Sequence, residues 1–361
     1  MNRLVIIGNG FDLAHGLKTK YEDFIDWYWV NRMKGLEHEE SLVSKDPLCT
    51  LTNALNKSWS VSYSEDRNLQ RTKKSTKIIR NLKDKPYYYK LEMTELFSVI
   101  CENIQAKGWV DIENDYYSCL TRAVINYKEF GKDFLDGLNR DFAYIRELLI
   151  AYLSQENQKK IELIDSINEK IYKSILKDEM PINNPDYPYN SIPDEITPSR
   201  IMLLNFNYTN TPQLYLKADA KISINYIHGS LESPQSIIFG YGDESDKEYN
   251  RLKEFEDSEC LHYIKQLHYL KYGNYRKLRA FIETDPFQIC IMGHSCGTSD
   301  RSLLKMLFEH HNCLSIKLYY YLMKNGEDDY DLRIQSINKC FSNLQMMQDK
   351  VVVKEFTEPL T

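Results

Sequence analysis

The chain has 361 residues and a formal net charge of −6, with 27% charged and 42% hydrophobic residues. This balance excludes a chain adapted as a whole to a polyanion, so any nucleic-acid contact has to be local. The length allows two domains, or one domain carrying a large insertion.

Eight cysteines lie at 49, 101, 119, 260, 290, 296, 313 and 340. No two are separated by two residues, and several sit in apolar segments where a thiol acts as a small hydrophobe, which reads as a reduced, intracellular protein. The sequence shows no signal pattern and no apolar run of spanning length, so the expectation is a cytoplasmic protein without a membrane partner.

In chain order, "RLVIIG" at 3–8 is a short apolar run ending at glycine, as in a buried parallel strand. Thr19 and Glu22 make a capping box, and Tyr21, Phe24, Ile25 and Tyr28 then recur at helical spacing. The start of the chain therefore reads as strand, glycine turn and loop, then helix. From about 35 to 195 the patterns are helical, clearest in "KLEMTELFSVICENI", with no convincing sheet strand. Five prolines between 180 and 199 close this region.

Strand-like runs then return at 201, 222, 236, 287, 314 and 351, with helical segments at about 246–272, 300–311 and 328–346. Strands alternating with helices imply a parallel sheet with helices on both faces. The expected organisation is a discontinuous Rossmann-like α/β domain, 1–34 plus 200–361, interrupted after its first strand–helix unit by a helical insertion, 35–199. Residues 67–85 carry eight basic residues and one acid. They read as a solvated face, with an anion or nucleic-acid patch as the alternative.

Four of the expected strands end in polar or glycine-rich turns. "IIGNGFDLAHGL" contains Gly8-Asn9-Gly10, whose glycines permit close backbone approach to a nucleotide. Leu13 stands where a dinucleotide fingerprint needs a third glycine, which argues against a hydride-transferring enzyme. "LNFNYTNT" begins at 204, "YIHGS" at 226 and "IMGHSCGTSD" at 291. In a parallel sheet all four turns share one edge, where open α/β sheets bind ligands. Asp300 is placed to cap the helix after the last of them.

Three rival chemistries have weaker patterns. Cys260, His262, His268, His310, His311 and Cys313 match no familiar zinc spacing, so no metal is expected. "GHSCG" has the form of a nucleophile elbow at Ser295, but the only later histidines, His310 and His311, lie on the helix that Ser295 precedes. Cys296 has no later histidine placed to activate it.

The four motifs together resemble the AbiH family of bacterial phage abortive-infection proteins, in order and spacing over the first 30 residues and again over about 200–310. That family is in turn distantly similar to sirtuin-like NAD-cleaving antiphage domains. The resemblance implies a sirtuin-like fold, NAD as substrate or ligand, and Asn207 and His228 as the catalytic pair. By the same resemblance Gly8, Asn9, Gly10, Phe11 and Asp12 lie against the nucleotide with Tyr208 and Gly229, and Gly293, His294 and Ser295 line its other side. It also implies a phage-derived activator and a helical insertion acting as lid, sensor or oligomerisation surface. Zinc-binding cysteine pairs are missing, which argues against protein deacetylation.

The chemistry suits these residues. Nicotinamide leaves NAD as a neutral molecule, so its departure needs no general acid, unlike an ordinary glycoside. One base, His228, and one positioning group, Asn207, suffice for hydrolysis. The alternative is a non-catalytic nucleotide-binding module signalling through the insertion.

Overall fold

A computed structural model describes residues 1–38, 43–53, 73–107, 111–181, 187–218, 221–244 and 246–361. In chain order the elements begin with β1 (Asn2–Ile7), α1 (Asn9–Ala14), α2 (Tyr21–His38), β2 (Val43–Lys45), β3 (Cys49–Asn53), α3 (Ser75–Asp84) and β4 (Tyr89–Met93). Then come α4 (Glu95–Lys107), α5 (Ile112–Ile125), α6 (Tyr127–Asn157), α7 (Asp165–Tyr172), β5 (Ile175–Leu176), β6 (Glu195–Ile196), β7 (Ile201–Asn205) and β8 (Ile222–Tyr226). The chain ends with α8 (Lys247–Glu254), α9 (Lys265–His268), α10 (Asn274–Thr284), β9 (Phe287–Met292), α11 (Arg301–Phe308), β10 (Cys313–Tyr319), α12 (Tyr330–Asn338) and α13 (Leu344–Lys350).

These elements form two compact units. One comprises Met1–Lys18, Leu153–Lys247 and Tyr263–Thr361; the other comprises Thr19–Tyr152 and Glu248–His262. The seams expected at 34/35 and 199/200 do not coincide with these borders. Helix α2 groups with the second unit, and residues 153–199 group with the first because α7 packs Ile167 and Ile171 onto the sheet.

The first unit is built on a five-stranded, all-parallel sheet in the order β10-β9-β1-β7-β8. β1 is central, so Val5 lies between Leu203 and Cys290. Strand alternation sends Leu4 and Ile6 into one apolar layer with α10 and α11, and Val5 and Ile7 into another with Phe11 and α7. Apolar residues on both faces explain the continuous hydrophobic run of β1. Residues 352 and 360 bond to Ile316 and Tyr320, which covers the free edge of β10.

Several expectations fail locally. Residues 236–240 pass in a 3₁₀ turn and loop, and 351–356 carry one isolated bridge and a 3₁₀ turn, so neither is a sheet strand. Apolar character there reflects burial of Ile237, Ile238 and Phe239, which short buried loops also provide. The 246–272 segment is broken into α8, a 3₁₀ turn and α9. The expected loop and helix are present as residues 15–20 and α2, but the glycine turn itself opens an additional short helix, α1. The second unit, expected to lack sheet, contains the antiparallel sheet β2-β3-β4, with Leu51 paired to Leu91. Its strands are three to five residues long, too short for two-residue periodicity to stand out. Helix α6 is interrupted at Gly131, where φ is +72°.

All eight cysteines are free and buried. No helix among the described residues is long and apolar enough to cross a membrane.

A buried polar network ties the sheet to the 165–179 segment. The Arg3 guanidinium, 2% exposed, donates to the carbonyls of Lys170, Ile171 and Lys173, which satisfies the C-terminal end of α7, and to Gln288 Oε1 at 3.0 Å. Gln288 passes its amide to Glu179 at 2.8 Å, and Glu179 pairs with Lys317, both buried. Glu179→Gln leaves the Lys317 ammonium without its partner, so urea unfolding at pH 7 is expected to show a loss of about 3–5 kcal/mol. Adding Lys317→Met should recover most of it; no loss in the single variant contradicts this assignment.

Candidate functional site at the carboxyl edge of the sheet

Parallel pairing brings the ends of β1, β7, β8 and β9 to one edge. Backbone bonds continue a residue past the strands, from Gly8 to Met292, from Phe206 to Ile7 and from Ile227 to Asn205. Two turns then meet directly. A Cβ on Gly8 would lie 2.5 Å from His294 Cα, and one on Gly10 would lie 2.8 Å from Gly293 Cα. Gly293 itself has φ +74°, and its added Cβ would reach Phe11 N at 2.2 Å. Only glycine fits such an approach.

The amides of this turn are engaged within the protein. Gly8 N bonds Met292 O at 3.2 Å, Gly10 N bonds Gly293 O at 2.8 Å and Phe11 N bonds Gly8 O at 2.9 Å. The close approach that the glycines permit is thus to a neighbouring turn. Phe11 is fully buried, 4.9 Å from the ring of His15 and 5.4 Å from that of Tyr215. His15 uses both ring nitrogens, on Phe11 O at 2.7 Å and Tyr215 Oη at 2.8 Å, so it joins α1 to the 211–215 turn.

"LNFNYTNT" folds back on this turn. Buried Asn205 accepts from Asn207 N at 3.2 Å and donates to Thr209 O at 3.1 Å, which fixes the loop by an Asx turn. Asn207, half-buried, donates from Nδ2 to Gly8 O at 3.0 Å. Thr209 donates to Asp12 Oδ2 at 2.7 Å. Asp12 is 1% exposed, and its Oδ1 has no hydrogen-bond partner. Burial pushes its carboxyl up to about 6, against the opposing effect of Thr209, Thr211 and Asn207. Gly8, not Asp12, stands at the N-cap of α1.

The other half of the edge centres on Asp300. Its Oδ1 accepts from Lys265 Nζ at 2.9 Å and lies 3.4 Å from His228 Nε2, while Oδ2 lies 3.6 Å from His294 Nε2. Asp300 makes no side-chain cap on α11, contrary to expectation, because its carboxylate is held by these three groups. Burial alone would raise this carboxyl; Lys265, His228 and His294 together hold it below the usual carboxylate range. His228, 3% exposed, also meets Tyr269 Oη at 3.1 Å and packs edge-on against Phe206. Burial, with the Lys265 charge, pushes His228 down to about 3 despite Asp300, so the ring is neutral at pH 7. His294 Nδ1 accepts from Cys296 N at 3.0 Å, which leaves the Nε2 proton directed at Asp300.

The edge thus gathers all the residues singled out in the sequence, but not equally. Asn9 and Ser295 are exposed, and Gly10, Asn207, Tyr208 and Gly293 are half-buried; Gly8, Phe11, Asp12, His228, Gly229 and His294 are buried. Tyr208 Oη donates to Ile238 O at 3.2 Å. Thr209 lies within the "LNFNYTNT" motif, whereas Lys265 and Tyr269 had no distinguishing pattern in the sequence. Asp300 was visible as a polar residue before a helix, but its partners come from β8, α9 and the turn after β9.

Rival constellations lie elsewhere in this unit. His310 and His311 follow α11 and precede β10, so they stand at the opposite sheet edge from Ser295. Their ligand atoms and that of Glu283 lie within 4.8 Å of one another. His310 Nδ1, however, accepts from Asn312 N at 3.2 Å, so Nε2 carries the proton and faces Glu283 as a donor at 3.4 Å. A metal ligand needs that nitrogen unprotonated.

Asp12 yields a pH test. Between its ordinary value of 3.8 and about 6, the folded chain holds a proton at this carboxyl that the unfolded chain has lost. Acidification through that window therefore favours folding through this group, and above it the ionised carboxylate is a cost. Relative to the parent, Asp12→Asn is expected to gain about 1–3 kcal/mol of unfolding free energy between pH 4 and pH 7.5. Chemical denaturation at both pH values measures the gap; a gap independent of pH contradicts the assignment.

Neither a curated protein nor a solved structure shows significant similarity to this chain. A family model does: the model described as "Bacteriophage abortive infection AbiH" matches residues 4–322, which takes in the parallel sheet apart from the first two residues of β1, and all four strand-end turns. The chain accordingly belongs to the AbiH family of bacteriophage abortive-infection proteins, a phage-defence family.

Proposed function

We propose that this phage-defence protein acts on NAD or a related nucleotide at the carboxyl edge of its parallel sheet, hydrolysing the nicotinamide–ribose bond when triggered by a phage component. The observation that carries this reading is the meeting of Asn207, His228 and Asp300 on one edge, with Asn207 accessible and anchored on Gly8. The motif likeness to sirtuin-like NAD-cleaving domains supplies the substrate class.

In the proposed step the bond from ribose C1′ to nicotinamide breaks and its electron pair leaves with the ring. Water oxygen bonds to C1′, and a proton passes to His228. A neutral imidazole is the form that accepts a proton, and the Asp300 carboxylate 3.4 Å away stabilises the imidazolium that results. Asn207, its amide plane held by the bond to Gly8 O, orients water or a ribose hydroxyl. Because the Gly8, Gly10 and Phe11 amides are engaged, the diphosphate is held by other groups on this edge, with exposed Asn9 and Ser295 the nearest in sequence to the glycine turns.

The burial of His228 also supports a second reading, a nucleotide-binding module without turnover that signals to a partner through its helical unit. The two readings separate in one experiment. Purified full chain, alone and with extract of phage-infected cells, is incubated with NAD while released nicotinamide is measured. Hydrolysis predicts release, and a loss of about 10²-fold or more in Asn207→Ala and in His228→Ala. Undiminished release in both variants removes them from the mechanism; saturable binding without release selects the second reading.

A further inference from the structure

The basic run that the enzymatic reading leaves unused has a definite form in the second unit. Residues 67–72 lie outside the described residues; from Lys73 onward the run is described and mostly forms α3. The helix buries Ser75, Ile78, Ile79 and Leu82 along one side. Asp26 of α2 fastens its start, accepting from Ser75 N and Ser75 Oγ, both at 2.7 Å, and pairing with Lys74.

At 100° per residue, Lys77 and Arg80 fall on the opposite side and Lys83 on its flank; Lys73 lies just before the helix, and all four are exposed. None has an ion-pair partner among the described residues, and Asp84 is the one acid interspersed with them on the helix. A rise of 1.5 Å per residue spreads Lys77, Arg80 and Lys83 over about 9 Å. Just past the helix, the turn at 86–88 presents Tyr87, 85% exposed, and Tyr88, 44% exposed.

We propose that this face, the cationic arc of α3 with Tyr87 and Tyr88 beside it, binds single-stranded nucleic acid. Spaced cations track a phosphate backbone, and exposed rings offer unstacked bases a platform. A lipid surface fits less well. An interfacial helix inserts its apolar side, whereas that side of α3 is buried and its outward arc carries no aliphatic side chain. The overall net charge of −6 makes the face local, so its binding is weak and steeply salt-dependent.

Fluorescence anisotropy of the full chain tests this, with mixed-sequence single-stranded RNA and DNA of roughly 20 nucleotides, a duplex control, and phosphatidylserine vesicles in a parallel sedimentation assay. The expected slope of log affinity against log salt is about −2 to −3, the value for three or four phosphate contacts on a single strand. Joint Lys77→Glu, Arg80→Glu and Lys83→Glu substitution should lower affinity at least tenfold. Tyr87→Ala with Tyr88→Ala should weaken single-strand binding about tenfold and leave the salt slope unchanged. Circular dichroism checks that both exposed-site variants remain folded. The proposal is overturned by absent oligonucleotide binding, by equal affinity in either variant, or by binding to vesicles in preference to single strands.

Discussion

Backbone lies on backbone where the turn after β1 crosses the turn after β9, and the candidate site depends on that contact. Gly8, Gly10 and Gly293 leave no room for a side chain between the two turns, and the bond from Gly10 N to Gly293 O locks them at 2.8 Å. With this crossing fixed, Asn207 reaches Gly8 O, Asp12 reaches Thr209, and His294 is set beside Asp300. A methyl group at any of the three glycines would part the strand ends and loosen the polar groups on both sides together.

On that frame the edge divides its charged groups into two arrangements with opposite character. Asp12 is an acid buried with one oxygen partnered and one not, so its environment favours the neutral form. Asp300 is an acid surrounded by Lys265, His228 and His294, so its environment favours the ion. The same residue type is shifted in opposite directions on one edge because desolvation decides one case and the Lys265 ammonium with two imidazoles decides the other. Asp300 with His228 gives the edge both a carboxylate and a neutral imidazole at pH 7, the combination that the proposed hydrolysis uses.

The apolar runs at β1, β7, β9 and β10 were legible because a strand buried on both faces is largely hydrophobic at successive positions, and turn residues mark its end; edge strand β8 alternates Ile222 and Ile224 with Ser223 and Asn225 instead. The run at 236 carries the same continuous signature without being a sheet strand, since burial alone produces it, and the run at 351 makes only one isolated bridge to β10. The short strands of the second unit escaped for the opposite reason: three to five residues do not establish a period. Within the site, Asn207 and His228 could be read from their places after β7 and β8. Lys265 and Tyr269 could not, because a buried lysine differs from a solvated one only by its surroundings.

Residue order alone determined the α/β class, the strand-end position of the four motifs and the basic run of 67–85, all of which follow from local composition, periodicity and turn chemistry. Only tertiary structure decided what the glycines touch, which acid is harder to ionise and that Asp300 serves two histidines and a lysine instead of a helix end. Those outcomes rest on contacts between segments tens to hundreds of residues apart, and on the loss of water around them. Neither distance nor desolvation has a trace in the local pattern.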